Sequence, residues 1–298
     1  MKSRVLTALG LMPLVLGAFF CASPWPILAL GIAIIAGCNV ELTGLFKSSV
    51  LTGSVLGCLT LFLLPLLHLS QPFFPRETHA VVISAVVLVG WLIGIVGTYQ
   101  CSVRSVPLFA RLAAPLWYVI PIFSLIHLHS RIPTHDGWFL ANPILMATVP
   151  VWGGDIAGIF VGKSLGKRLL APTISPKKTI EGSLGNLFLC VLVATTLAIL
   201  LSLSPWLGLG CGIIAGTFGQ IGDLFESFVK RQAGVKDSGT LLPGHGGILD
   251  RIDSVLFTAP LVLILVALFP AQVNPVQLHL PSNEAELKKP TDQKVIIR

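Results

Sequence analysis

Charge is what this 298-residue chain has least of. Only 11% of its residues are Asp, Glu, Lys or Arg, and its mean hydropathy is +0.86. A soluble domain carries about a quarter charged residues, so soluble globular architecture is excluded. Six cysteines, Cys21, Cys38, Cys58, Cys101, Cys190 and Cys211, are scattered in or beside apolar runs. With no C-x-x-C pair among them, neither a zinc site nor a disulfide framework is indicated. The formal charge is +7, yet no basic and aromatic module stands outside the apolar runs, which excludes a nucleic-acid partner. No internal repeat and no long linker interrupts the sequence.

Hydrophobic runs fill the space that charge leaves. Runs of about 17–25 residues, the length that crosses a bilayer as a helix, recur along the chain. They predict an all-α polytopic integral membrane protein with about nine transmembrane helices and no soluble domain. The spans fall near 5–22, 24–40, 49–69, 79–98, 108–128, 137–160, 183–203, 206–223 and 254–270. Backbone groups inside a bilayer must bond within their own segment, which makes these spans helical. The start Met1-Lys2-Ser3-Arg4 has the look of a secretory signal, but Phe19 and Phe20 before Cys21 leave no small-x-small cleavage site. An uncleaved first span is the expectation. The chain divides into scaffold spans over 1–135, a catalytic transmembrane region with two motif loops over 136–270, and a polar tail over 271–298.

The few charges are unevenly placed. With the N-terminus inside, internal segments carry Lys2, Arg4, Lys47, Arg104, Lys163, Lys167, Arg168, Lys177, Lys178, Lys230, Arg231, Lys236 and Arg251. External loops carry only Arg76 and Arg131. That asymmetry puts the 161–182 and 223–253 loops in the cytoplasm, most simply on the inner face of a bacterial inner membrane. The tail, with Lys288, Lys289, Lys294 and Arg298, would lie outside, a mild violation of the same rule.

Nine charged residues crowd into the 35 positions of 220–254: Asp223, Glu226, Lys230, Arg231, Lys236, Asp237, Asp250, Arg251 and Asp253. Ionisable groups beside hydrocarbon are costly unless paired or hydrated, so the cluster reads as a functional site. On a helix over 220–232, Asp223, Ser227 and Lys230 share a face; Asp250 and Asp253 share one at the start of the last span, which begins at Asp250 or just after. Gly239, Pro243, Gly244, Gly246 and Gly247 mark an irregular loop between them, around His245, whose N–H groups suit an anion. Carboxylates converging from separate helices are what magnesium needs, since it binds one or two of them together with waters and phosphate oxygens. The surrounding cations would neutralise charge on a phosphoryl group. A salt-bridge network closing a loop would explain the charge balance, but not the Gly-rich interior or acids at the ends of two membrane helices.

Upstream, Gly154, Gly158, Gly162 and Gly166 recur every fourth residue, a smooth strip that permits close helix packing within the chain or a homodimer. Asp155 beside it is an acid in an apolar helix, as suited to a bound cation as to a structural hydrogen bond. Ser175-Pro176-Lys177-Lys178-Thr179 reads as a turn with paired lysines. Composition alone favours attraction to anionic lipid headgroups over a grip on a triphosphate. Glu41, beside Asn39 and Lys47, reads as a membrane-edge residue, and His68, His79, His127, His129 and His135 as interfacial. The chain up to about residue 135 thus looks nearly free of chemistry.

The residues of the cluster resemble the phosphatidate cytidylyltransferase, or CDP-diacylglycerol synthase, family. That family's pattern of Ser, Lys-Arg, Lys-Asp, His-Gly-Gly, Asp-Arg and Asp is met by Ser227, Lys230-Arg231, Lys236-Asp237, His245-Gly246-Gly247, Asp250-Arg251 and Asp253, with no position missing. The stretch WGGDIAGIFVGKSLG…ISPKKTIEG is similar to its second block, except that Ile159 stands in a Tyr position and Ile180 in a Trp position. Together the motifs cover about 150–255. The resemblance implies CMP transfer from CTP to phosphatidic acid, giving CDP-diacylglycerol and pyrophosphate in phospholipid biosynthesis, with Mg2+ required. On that reading Asp223 and Asp250 are the leading metal ligands, with Asp253 and Asp155 behind them. Lys230, Arg231, Lys236 and Arg251 meet phosphates, with Asp237 and His245 in the same catalytic motif. Ser175, Lys177, Lys178 and Ser227 are further phosphate contacts.

Three rivals remain at the level of sequence. A lipid or anion transporter predicts internal symmetry and mid-membrane charges, whereas these charges sit at one edge. A CDP-alcohol phosphotransferase requires an Asp-Gly-led acidic motif that the chain lacks. A structural subunit leaves the density of the 220–254 cluster unexplained.

Overall fold

The computed structural model describes residues 2–21, 23–46, 76–103, 108–129, 142–201, 203–244 and 246–268. Their helices are α1 (Lys2–Phe20), α2 (Pro24–Leu45), α3 (Arg76–Val103), α4 (Leu108–Ala113), α5 (Leu116–His129), α6 (Ile144–Leu165), α7 (Ile180–Leu200), α8 (Pro205–Ile214), α9 (Gln220–Gln232) and α10 (Leu249–Leu268). A π-helical turn, Ala215–Gly219, joins α8 to α9. Strands β1 (Leu169–Ala171) and β2 (Ser175–Thr179) form a small hairpin between α6 and α7.

Seven helices among the described residues are long and apolar enough to cross a bilayer: Trp25–Leu45, Val81–Ser102, Arg111–His129, Ile144–Leu165, Ile180–Leu200, Pro205–Gln232 and Leu249–Leu268. A shorter apolar helix, Leu9–Phe20, lies at the first expected span. The chain is a multi-pass helical membrane protein. Of the nine spans expected, the one near 49–69 lies outside the described residues, as does the 271–298 tail.

Several boundaries differ from the hydropathy reading, for local reasons. The helix expected from 137 begins at Ile144, where Asn142 Oδ1 accepts the Ile144 N–H (3.1 Å) and satisfies an orphan donor. The one expected from 183 begins at Ile180, because Thr179 Oγ1 caps it by accepting from Gly182 N (3.1 Å). The last begins at Leu249. The span expected to stop at 223 runs on through the charged face of α9 to Gln232, since length in a helix is set by backbone bonds and not by hydropathy.

Ser175–Thr179 is a strand and not the turn itself. The turn is Ala171–Ile174, closed by Ile174 N donating to Ala171 O (3.2 Å), with Pro172 at the position its fixed φ favours. Pro176 is tolerated because a two-stranded hairpin has only edge strands.

Helix α10 is central. Its buried residues include Leu249, Val255, Leu256, Phe257, Leu263 and Val266, and it packs against α3, α5, α6, α8 and α9. Around it one apolar core joins α1, α2, α3, α5, α6, α7, α8 and α10. A second, with Trp91, Trp117, Tyr118 and Phe257, lies nearer the charged end of α10. The most extensive helix pairing is α6 on α7. There the glycine strip is spent: a Cβ at Gly154 would lie 2.3 Å from Cys190 Sγ, and one at Gly162 would lie 3.1 Å from Thr179 Oγ1. The strip serves contact within one chain.

Candidate active site

A cavity of about 670 Å³ opens where α6, the hairpin, α7, α9 and α10 meet. Helix α6 contributes Asp155 and Lys163, and the hairpin contributes Ser175, Lys177, Lys178 and Thr179. From α7 come Ser183 and Asn186, from α9 Gln220 and Asp223, and from α10 Asp250, Arg251 and Asp253. Its acids all come from helices. Three of its cations, Lys163, Lys177 and Lys178, come from the end of α6 and the hairpin, and Arg251 joins them from α10.

The elements hold these side chains by direct bonds. Lys178 Nζ pairs with Asp223 Oδ2, tying hairpin to α9, and Ser227 Oγ sits one turn on, 3.4 Å from Asp223 Oδ1. Asn186 Nδ2 donates to Asp155 Oδ1 (3.2 Å), joining α7 to α6. Ser183 and Gln220 bond to each other, and Gln220 Nε2 also donates to Ser183 O (3.1 Å). The far end of the hairpin is anchored by Glu181, which accepts from Lys167 N (3.0 Å) and Arg168 N (3.2 Å).

Asp250 is the most heavily bonded acid. Its Oδ1 accepts from Lys230 Nζ (2.6 Å). Its Oδ2 faces Ser238 N (3.0 Å), Ser238 Oγ (3.1 Å) and Gly247 N (2.8 Å). A carboxylate offers about four lone-pair sites, so Oδ1 retains room for one further contact and Oδ2 has none. Lys230 is itself buried between Asp250 and Glu226 Oε2 (2.6 Å).

The structure therefore sorts the residues singled out from sequence. Asp155, Asp223, Asp250, Asp253, Arg251, Ser175, Lys177 and Lys178 line the cavity. Lys230, expected at a phosphate, stands behind Asp250 as its counter-ion, because the i,i+4 spacing to Glu226 draws it inward. Arg231, also expected there, donates to Val235 O (2.8 Å) at the exposed end of α9. Lys236 and Asp237 are exposed and, like Ser227, are not part of the cavity lining. His245 lies outside the described residues. Thr179, whose hydroxyl the triphosphate-grip reading of the loop includes, also lines the cavity. Lys163, Ser183, Asn186 and Gln220 were missed; Lys163 alone left a signal, a lysine one turn past Ile159 on a helix that carries Asp155.

Glu41 was misread more plainly. It is 3% exposed and accepts from Ile248 N (2.7 Å), Leu249 N (2.9 Å) and Ser238 Oγ (2.9 Å). Its long-range partners lie some two hundred positions away, which no local pattern reveals.

The donor set suits a small hard cation. Four carboxylates face one cavity, and Asp155, Asp223 and Asp253 lie within electrostatic reach of one another. Among the described residues no three acidic, His or Cys groups are close enough to cage an ion alone. Magnesium fits that arrangement, since it keeps waters and takes substrate oxygens for the rest of its octahedron.

Over 174 residues, 58% of this chain and 64% of the relative, the protein is 42% identical to a phosphatidate cytidylyltransferase of Bacillus subtilis (strain 168). Over 125 residues, 41% of the chain and 48% of the relative, it is 49% identical to proteins of that name from Staphylococcus aureus (strain COL) and Staphylococcus haemolyticus (strain JCSC1435). The chain thus spans between about half and two thirds of the length of these relatives. The model of the cytidylyltransferase family matches residues 2–269, nearly the whole sequence, and the chain belongs to that family.

Proposed function

We propose that the protein is a phosphatidate cytidylyltransferase, converting CTP and phosphatidic acid to CDP-diacylglycerol and pyrophosphate. The observation that carries the reading is the cavity itself, in which carboxylates on membrane helices face lysines on a hairpin. Its size suits a nucleotide triphosphate, and its place at the ends of spanning helices gives a diacyl lipid access from the bilayer.

In this reading the lipid phosphate, ionised near neutral pH, attacks the α-phosphorus of CTP in line with the departing pyrophosphate. Two anions must meet, so the chief task of the protein is to hold them together and offset their charge. Lys163, Lys177, Lys178 and Arg251 take the phosphates, with Ser175 as a hydroxyl donor. Asp223 and Asp250, with Asp253 and Asp155 beside them, would hold Mg2+. Bound there, the ion supplies Lewis-acid stabilisation of phosphoryl charge. The excess of basic residues in the two motif loops supports a cavity facing the cytoplasm from the inner membrane, by the positive-inside rule. A homodimer, if the chain forms one, uses a face other than the glycine strip, which α7 already covers.

Purified protein given labelled CTP and phosphatidic acid should form a lipid-soluble labelled product only when lipid and magnesium are both present. Asp250→Asn should abolish turnover while still inserting into membranes. Nucleotide turnover without a lipid acceptor would refute the reading, and near-normal turnover by D250N would remove Asp250 from it.

A further inference from the structure

We infer that Glu41, on the second helix, is a positioning residue for Asp250; the inference rests on the cytidylyltransferase reading. The N-terminus of α10 presents backbone N–H groups with no partner inside the helix, and a negative charge there is favoured twice, by hydrogen bonding and by the helix dipole. Residues near that terminus supply two acceptors. Asp250 takes Gly247 N, and Glu41, from a different helix, takes Ile248 N and Leu249 N. The Ser238 hydroxyl lies between the two acids, 2.9 Å from Glu41 Oε2 and 3.1 Å from Asp250 Oδ2. The loop is packed onto Glu41 so tightly that a Cβ at Gly247 would lie 2.6 Å from its Oε2, and one at Gly239 would lie 2.8 Å from its Cγ.

The consequence is geometric. Both backbone donors to Asp250 Oδ2 come from Ser238 and Gly247, and Glu41 holds both of those residues, the first by accepting its single hydroxyl proton at the shorter distance and the second through the amides that follow it. With Oδ2 so locked, the rotation of the Asp250 carboxylate is set, and Oδ1 is left for Lys230 and the cavity. A carboxylate is needed at position 41, because both of its oxygens accept. A Gln there would present an NH2 group to either the hydroxyl and Leu249 N–H or to Ile248 N–H.

The test pairs an activity measurement with one that needs no turnover. In the full-length protein in nanodiscs, amide hydrogen exchange of the segments holding Ser238 and Gly247 should be about tenfold faster or more in Glu41→Gln than in wild type. If only Ile248 and Leu249 accelerate while Ser238 and Gly247 do not, Glu41 caps the helix without positioning Asp250, and the inference fails. In the CTP and phosphatidic acid assay, kcat of E41Q should fall about 10–100-fold with KM for CTP little changed, the size typical of losing support behind a ligand. Ser238→Ala, the milder change should E41Q not fold, should show the same kcat-only loss. The double variant should be no worse than the poorer single, because both act through one acid; multiplying losses would mean independent structural damage and would overturn the proposal. Wild-type protein inactive with these substrates would sink the cytidylyltransferase reading alone, and the exchange result would still decide the role of Glu41.

Discussion

Lys230→Met removes the cation from the most buried ion network among the described residues. Lys230 Nζ lies 2.6 Å from Glu226 Oε2 and 2.6 Å from Asp250 Oδ1, with side chains only 10%, 2% and 8% exposed. At that separation each attraction is about 6 kcal/mol for an effective dielectric near 20, before the cost of drying the three charges. That cost cancels most of the gain, so the useful figure is the penalty for leaving acids behind. Removing one partner of a buried pair typically costs about 3–5 kcal/mol. Here the upper end is expected, because Glu226 Oε1 already has no hydrogen-bond partner and Met leaves the carboxylate wholly uncompensated. Met fills the volume of the lysine stem, so the loss would be electrostatic and not a cavity effect. The assay is reversible unfolding in mixed micelles followed by tryptophan fluorescence. Glu226→Gln in the K230M background should recover at least about half of the loss, leaving Asp250 with its Ser238 and Gly247 donors. A K230M protein within about 1 kcal/mol of wild type would refute the assignment of Lys230 as a structural counter-ion.

Two further outcomes follow from the cavity and the helix pair. Lys178→Gln removes a cavity cation and releases Asp223; KM for CTP should rise about 10–100-fold in steady-state kinetics, the worth of a charge-assisted bond, and an unchanged KM would take Lys178 off the nucleotide. Gly154→Ala forces a methyl to 2.3 Å from Cys190 Sγ and 3.0 Å from Asn186 Oδ1, so it should destabilise by about 1–3 kcal/mol, as overpacking does. The same unfolding measurement reads it, and Cys190→Ala should relieve part of the cost.

What the sequence made legible was what depends on neighbours along the chain. Among the described residues hydropathy located the spanning helices, with most ends within about five residues, because span length follows from bilayer thickness; the start at Ile144 and the end at Gln232 lay further off. The spacing of Asp223 and Ser227, one helical turn apart, placed them together correctly. Direction across the bundle was not legible. Lys230 is four residues from Glu226 and seven from Asp223, and only packing decides that it turns toward the first. Composition alone read Lys177 and Lys178 as a headgroup-binding turn, and only the family resemblance set them at a substrate phosphate, since nothing local says that a hairpin will fold them beside Asp223. Glu41 was the extreme case: a lone acid in an apolar helix has the same local signature whether it idles at the interface or caps another helix.

The π-helical turn at Ala215–Gly219 has a consequence for how this architecture tolerates change. Such a turn holds one residue more than the α-helical turn it replaces, so it advances everything downstream by about 100° around the helix axis. Gln220 and Asp223 owe their bearing to that extra step. Substitutions at Thr217 or Phe218 would leave the bearing alone, Gly216 admits no side chain because a Cβ there would lie 2.7 Å from Leu187 Cα, and loss of any one residue would straighten the rod and swing both side chains a quarter-circle off the cavity. In this stretch the chain is constrained by how many residues it has as well as by the glycine at 216.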